Sequence, residues 1–278
     1  MPDEPTPPPP TLDQLNRLLR QHLASLEAAG VEWLLASRVP LPLFIVPDAS
    51  TAPVEEAPDG PEARGRELTV LAERVSGCAR CAELASARTQ TVFGVGRLDP
   101  EVCFVGEAPG RDEDAQGEPF VGAAGQMLTR IIAAMGFRRE DVYICNIIKC
   151  RPPGNRKPEA AEAHNCREYL ERQLELVRPR HICALGATPI TYLLGTSRSI
   201  RSMRGTVHHY KGIPVVCTYH PAYLLLGHRS TDEQEIRERK KMVWEDMKLL
   251  LSLMGRSVEK KPSDETSLPS PPSSGEGG

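Results

Sequence analysis

The sequence predicts an α/β fold in which a parallel sheet is covered by helices on both faces. Short apolar runs alternate with longer segments of helical periodicity, the pattern of repeated strand–helix units. Strands buried on both faces read as continuous apolar runs, and these do. Glycine or polar residues stand at the C-terminal ends of the runs (Gly106-Glu107, Asn146, His220), where open parallel sheets bind ligands.

The elements follow in order. Residues 1–10 are a proline run with no folded element expected. Residues 12–35 read as an amphipathic helix, with Leu12, Leu15, Leu18, Leu19, Leu23 and Leu26 at helical spacing and Thr11 or Asp13 as its cap. Residues 46–65, rich in Pro, Ala, Glu and Gly, read as a linker. The first strand is expected at 102–106, followed by a helix at 123–135. A second strand at 142–147 leads to a long helix at 158–177, opened by Pro158 where the first turn tolerates it. A third strand at 181–186, a helix at 187–194, a fourth strand at 213–219 and a closing helix at 233–254 complete the core. The tail is Ser-, Pro- and Gly-rich and reads as disordered. The division is an acidic extension (1–65), one folded domain (66–256) and a tail (257–278).

Composition narrows the class. The N-terminus has neither a basic n-region nor an apolar h-region, so no signal peptide is expected. No apolar run reaches membrane-spanning length. A cytoplasmic protein with reduced or metal-bound cysteines is the expectation. Net charge is −3, which does not advertise nucleic acid, but its distribution is uneven. Residues 1–65 carry −6 and residues 66–256 carry +5, a balance compatible with a phosphate-binding face and equally with ordinary surface charge.

Eight cysteines fall into two groups. Cys103, Cys145, Cys183 and Cys217 lie inside apolar runs and read as small buried hydrophobes. Cys78 and Cys81 form C-x-x-C, and Cys150 and Cys166 follow at loop and helix positions beside Lys and Arg. Four such thiols suit tetrahedral zinc or a [4Fe–4S] cluster, and spacing does not decide between them.

The loops carry candidate chemistry. Gly106-Glu-Ala-Pro-Gly110 sets two glycines around a proline, a rigid turn that brings backbone close to a ligand. Phe120 is a core ring or a stacking platform for a base. Asn146 satisfies its own turn or hydrogen-bonds a base edge. His220 is a loop cap or a donor to a developing anion. Tyr223-Leu224-Leu225 is unusually apolar for a loop.

In this order, G-E-A-P-G, P-F-V-G, N-I-I-K-C-R-P-P-G-N-R and H-P-A-Y-L-L resemble the motifs of the family 4, iron–sulfur uracil-DNA glycosylases over residues 70–250. The resemblance implies a three-layer α/β/α sandwich around a central four-stranded parallel sheet. It implies hydrolysis of the deoxyuridine N-glycosidic bond in DNA, releasing uracil and leaving an abasic site. It implies a [4Fe–4S] cluster on Cys78, Cys81, Cys150 and Cys166. Phe120 is then expected to stack on uracil, Asn146 to read its edge, the Ala108 backbone to contact O2, and His220 to stabilise the leaving group. Glu107, with Glu113, is the candidate for positioning water. In the best-known branch of the superfamily an aspartate stands at the place of Ala108, so no strong base is expected there. No nucleophilic lysine is evident, so no lyase step is expected. A related subclass bonds uracil through a histidine in a basic insertion between the third and fourth cysteines. Residues 151–165 hold no such insertion, and His164 does not resemble that histidine. Leu224 and Leu225 are expected to enter the duplex, and Arg229, Lys149, Arg151 and Arg156 to hold phosphates. The reading makes the protein a monomer acting at the nucleoid, with helix 12–35 free to bind a protein partner and residues 1–65 dispensable for catalysis. The rivals are a non-catalytic metal protein that binds DNA, an electron-transfer protein and a broad-specificity glycosylase.

Overall fold

A computed structural model describes residues 60–225 and 233–256, all within the unit Ala57–Gly278. The helix read at 12–35, Arg229 and the tail lie outside the described residues.

Six strands form one sheet: β1 (Val95–Gly96), β2 (Cys103–Gly106), β3 (Tyr143–Asn146), β4 (Ile182–Leu185), β5 (Val207–Tyr210) and β6 (Ile213–Thr218), in the order β1-β3-β2-β4-β6-β5. The four central strands are those expected, and they run parallel. Two short antiparallel strands, β1 and β5, extend the sheet at its edges. The sequence reading did not include them. β1 is only two residues long, and β5 is half-exposed with two histidines, so neither has the apolar signature of a buried strand.

Alternate residues of each central strand enter opposite cores. Cys103, Val105, Tyr143, Cys145, Ile182, Ala184, Val215 and Cys217 face one side with Leu170, Leu174 and Ile190. Phe104, Ile144, Cys183, Leu185 and Val216 face the other with Leu128, Ile132, Met247 and Leu250. Helices α1 (Pro61–Ser76), α2 (Ala82–Ala87), α3 (Arg111–Gln116), α4 (Ala123–Ala134), α5 (Ala160–Val177), α6 (Ala187–Leu194), α7 (Ile200–Met203), α8 (Ala222–Leu225) and α9 (Glu233–Leu253) complete the chain. α5 and α6 supply the first core, α4 and α9 the second. The result is the expected three layers. The cysteines of the strand runs, Cys103, Cys145, Cys183 and Cys217, are fully buried. Among the described residues no helix is long and apolar enough to cross a membrane.

The chain passes from β2 to β3 on one side, then returns to β4 on the other side of β2. This is a topological switch point, and it opens a crevice at the C-terminal ends of β2 and β4.

Helix α1 starts at Pro61, earlier than the position where the linker was read to end. The reason is Arg64, which is buried and donates to the Leu176 carbonyl at 2.8 Å and to Asp99 Oδ2 at 2.5 Å. Leu71 and Val75 of the same helix pack on Tyr169 and Leu176 of α5. Arg64→Ala removes a charged donor from a buried acceptor, and we expect it to lower unfolding free energy by about 1–3 kcal/mol in urea titrations. A chain beginning at Arg66 should show the same loss relative to one beginning at Gly60.

Candidate active site

The crevice is a cleft of about 510 Å³, and it gathers the loop after β2, the end of β3, the start of α6 and the loop after β6. Glu107, Asn146 and His220, read at strand ends, line it together with the loop residues Ala108 and Phe120. Glu113 lines it as well.

Gly106 sets the geometry. A Cβ built there would stand 2.4 Å from Asn146 Oδ1 and 2.5 Å from Phe120 Cζ. Asn146 is buried, and its Oδ1 accepts no hydrogen bond among the described residues. A buried amide oxygen left without a donor is costly in a folded protein. Asn146 also lines the cleft, so its unpartnered amide oxygen is placed where a ligand binds.

Phe120 adopts φ +55°, a region that residues with a side chain enter rarely. Its neighbours hold it there. Arg139 donates to the Pro119 carbonyl at 2.5 Å. Glu113 Oε1 accepts the N–H groups of Val121 and Gly122, each at 3.0 Å, while Oε2 accepts that of Gly110 at 3.0 Å. Gly125 leaves room for the Phe120 backbone, since a Cβ there would lie 1.9 Å from its carbonyl carbon. Both carboxylate oxygens of Glu113 are therefore engaged in joining the first loop to the phenylalanine loop. That is a positioning arrangement, different from the water-directing one expected. Glu107 differs: its Oε2 accepts from the Thr188 hydroxyl, across the switch point. Sequence reasoning missed Thr188, whose signal is its place just after the third strand's closing Gly186.

His220 stands 5.5 Å from Phe120, ring centre to ring centre. Its Nδ1 accepts the Ala222 N–H at 3.2 Å, which leaves the ring proton on Nε2. Burial pushes its pKa below the ordinary imidazole value, while Glu107 and Glu113 pull the other way. The ring is thus a neutral donor at neutral pH. Behind it runs a stack: Arg204 over Tyr219, Tyr219 against Tyr223, and Arg239 over Tyr223. Arg204 is also paired with buried Asp246 at 2.7 Å.

Several expected DNA contacts are placed otherwise. Leu224 is buried in the second core, because α8 turns it inward, so it is not a wedge entering the duplex. Leu225 is half-buried at the end of α8. Lys149 is buried, donating to Asn146 O and Gln173 Oε1, and cannot reach a phosphate. Arg156 lies at the cleft but is paired with Glu162 at 2.7 Å and Glu83 at 3.1 Å. Arg151 bonds Asn155. Lys157, which sequence reasoning did not single out, lines the cleft and is exposed.

Cys78 follows α1, Cys81 precedes α2, Cys150 follows β3 and Cys166 lies on α5. None of the eight cysteines is disulfide-bonded. Cys150 is within electrostatic reach of Cys78 and Cys81, and Cys166 of Cys150 and Cys81. Arg88 donates to Cys150 Sγ at 3.0 Å and to the Cys78 carbonyl at 2.7 Å, and Asn165 donates to Cys81 Sγ at 3.4 Å. Burial pushes the Cys166 thiol up to about 11. Among the described residues no three His, Cys, Asp or Glu side chains stand as a ready metal-ion site. The four thiols are joined by position and by donors to sulfur, a set whose chemistry fits thiolate ligation.

Comparison with known proteins agrees with this geometry. Residues 93–248 match the model of the uracil DNA glycosylase superfamily. The chain belongs to that superfamily. It is 46% identical over 160 residues to a Type-4 uracil-DNA glycosylase of Thermotoga maritima, covering 57% of this chain and 83% of the relative. It is 43% identical over 176 residues to a Type-4 uracil-DNA glycosylase of Archaeoglobus fulgidus, covering 60% and 88%. One from Saccharolobus solfataricus is 42% identical over 185 residues, covering 62% and 85%. Within this superfamily chain, Gly106→Ala is the sharpest probe of the cleft. It should displace Asn146 and Phe120 while leaving the sheet folded. Uracil release from DNA should fall about 100-fold or more, with little change in melting temperature, since a misplacement near 1 Å costs that much.

Proposed function

We propose that the protein removes uracil from DNA as a monofunctional glycosylase, cutting the deoxyuridine N-glycosidic bond and leaving an abasic site. The observation that carries this reading is the unpartnered Asn146 Oδ1, buried beside Phe120 and His220 in a cleft of a superfamily member. Uracil presents N3–H as a donor and O4 as an acceptor. Asn146 offers Oδ1 and Nδ2 to match them. Cytosine presents an acceptor at N3 and a donor at its exocyclic amine, so both contacts fail together when the amide keeps the orientation that matches uracil. Sites built on such bonds reject the mismatched analogue by about 10⁴- to 10⁵-fold.

The target nucleotide leaves the stack to enter the cleft, and Phe120 lies against its base. As the glycosidic bond breaks, electrons collect on O2 of uracil. The His220 Nε2–H donates to that oxygen, with the backbone around Ala108 on the same edge. A neutral ring suits the task, because it gives a hydrogen bond without having to be protonated first. Glu107, held by Thr188, faces the positive charge that develops on the sugar and orients the water that attacks C1′. Glu113 keeps the two loops in register. Lys157, which lines the cleft, and Arg151 hold phosphates, and Leu225 at the end of α8 meets the duplex with Arg229. The protein acts as a monomer at the DNA.

The cysteines Cys78, Cys81, Cys150 and Cys166 hold a [4Fe–4S] cluster, supported by the sulfur-directed donors Arg88 and Asn165. When bound, the cluster supplies cross-linking: it ties the α1–α2 turn to α5 and to the end of β3. The cleft residues described run from Glu107 to Ala222, inside the span proposed as the glycosylase domain.

Intact protein should release free uracil from a deoxyuridine oligonucleotide. Absence of release from iron-loaded protein overturns the reading. His220→Ala should lower the single-turnover rate about 100- to 1,000-fold, with a much smaller effect on DNA binding. Asn146→Asp should slow uracil release and narrow the uracil-to-cytosine rate ratio, since a carboxylate offers acceptors alone.

Cys150→Ser and Cys166→Ser should lose iron, sulfide and visible absorbance, and fold poorly, because metal-site formation contributes folding free energy. Cys103→Ser should keep the iron. Unchanged iron content in the first two would overturn the ligand set.

A further inference from the structure

Helix α9 carries a buried carboxylate that the proposed chemistry leaves unused. Asp246 is 1% exposed, on the stretch of α9 whose Val243, Met247 and Leu250 enter the second core. One of its oxygens, Oδ2, accepts from two donors: the Thr218 hydroxyl at 2.6 Å and Arg204 Nε at 2.7 Å. Arg204 Nη2 donates in turn to the Met242 carbonyl. A carboxylate is costly to bury unless it is paired and hydrogen-bonded, and here it is both. An apolar side chain would pack there without that cost, so the partners of the pair point to its use.

Those partners lie on the segment that leads into the cleft. Thr218 is the last residue of β6, and His220 follows two positions later. The Arg204 guanidinium lies 4.6 Å from the ring centre of Tyr219, the residue between them. Tyr219 stacks on Tyr223 at 4.5 Å. Arg239, also on α9, lies 4.7 Å from the Tyr223 ring centre and donates to the Tyr223 carbonyl at 3.3 Å. The bonds between His220, Ala222 and Tyr223 stay inside their own loop and do not fix it to the body of the protein. Leu224 packs the far end of the loop into the core, a contact without direction. The directed ties are Asp246, Arg204, Arg239 and the Gly186 N–H, which donates to the Thr218 carbonyl at 2.9 Å.

We propose that Asp246 is a positioning residue for leaving-group stabilisation. It holds Thr218 directly and Tyr219 through Arg204, and so sets where the His220 ring stands against Phe120. A donor to a developing anion works only at a defined place, and a misplacement near 1 Å caused by a distant change costs about 100-fold. This rests on the function proposed above. It adds that the cleft histidine is held in place by a helix that contributes no described lining residue to the cleft.

The test is a double-mutant cycle on full-length, iron-loaded protein: wild type, Asp246→Asn, His220→Ala and the two together. Asp246→Asn keeps the shape and an acceptor for Thr218, and removes the charge that holds Arg204. Single-turnover uracil release and binding to uracil-containing DNA are measured beside melting temperature. Asp246→Asn should slow release about 10- to 100-fold with little change in DNA binding. In the His220→Ala background the same substitution should slow release by no more than about twofold, because no histidine is left to misplace. Equal slowing in both backgrounds, or a folded Asp246→Asn protein with wild-type release, overturns the proposal and leaves an ion pair that only holds α9. Should the Asn variant not fold, Thr218→Val decides, since it removes one hydroxyl and keeps the ion pair. Slower release that vanishes in the His220→Ala background supports the positioning; wild-type release, or equal slowing in both, overturns it. Wild-type release by His220→Ala overturns this inference together with the role given to His220. Wild-type protein that releases no uracil overturns the proposed function itself, and the positioning with it.

Discussion

No side chain fits at position 106, and the cleft is arranged around that fact. The strand-end glycine lets a phenylalanine ring and an asparagine amide approach the β2 backbone more closely than any Cβ permits. The ring is held there by a left-handed backbone at Phe120, the kind of local strain that persists only where the surroundings over-determine it. Those surroundings are identifiable: Arg139 on the Pro119 carbonyl, Glu113 on three backbone N–H groups, and Gly125 beneath. The placement of the phenylalanine ring is therefore a property of the loop network, and the sheet only anchors it.

The polar groups around the cleft divide by what they are bonded to. Glu113, Arg156 and Lys149 have their bonding capacity engaged inside the protein. Asn146 Oδ1 accepts from no described residue, and the accepting Nδ1 of His220 frees its Nε2 proton. That contrast separates groups that hold the structure from groups that can meet a ligand. Sequence alone does not carry it. Glu107 and Glu113 look equivalent in an acidic loop, and only their partners distinguish them.

Much of the architecture was legible because it follows from composition over short windows. The four central strands are apolar on both faces, so they announce themselves without alternation. Glycine, asparagine and histidine at their ends located the cleft through the general behaviour of parallel sheets. What was not legible depends on contacts between distant segments. Leu224 reads as an exposed wedge until α8 turns it into the core. Lys149 reads as a phosphate ligand beside Arg151, until the segment after β3 is seen to turn it inward onto Asn146 O and Gln173. Arg64 sits in a Pro- and Gly-rich stretch that resembles a linker, and only its partners Asp99 and Leu176 reveal a helix. The edge strands escaped notice because two residues at β1 leave no pattern.

The sheet order has a consequence for how the chain reaches this state. Cys103 on the central strand pairs in register with Tyr143 and with Ile182, 40 and 79 positions later. Neither neighbour is available locally, so each pairing must close a long loop before it is rewarded. During synthesis from the N-terminus, β2 and β3 emerge well before β4, with one flank of β2 unpaired. The crevice comes into being only when β4 seals that flank, and its histidine wall arrives later still. The cleft therefore cannot be complete until the second half of the chain has paired, and any delay there leaves an open parallel edge exposed to other chains.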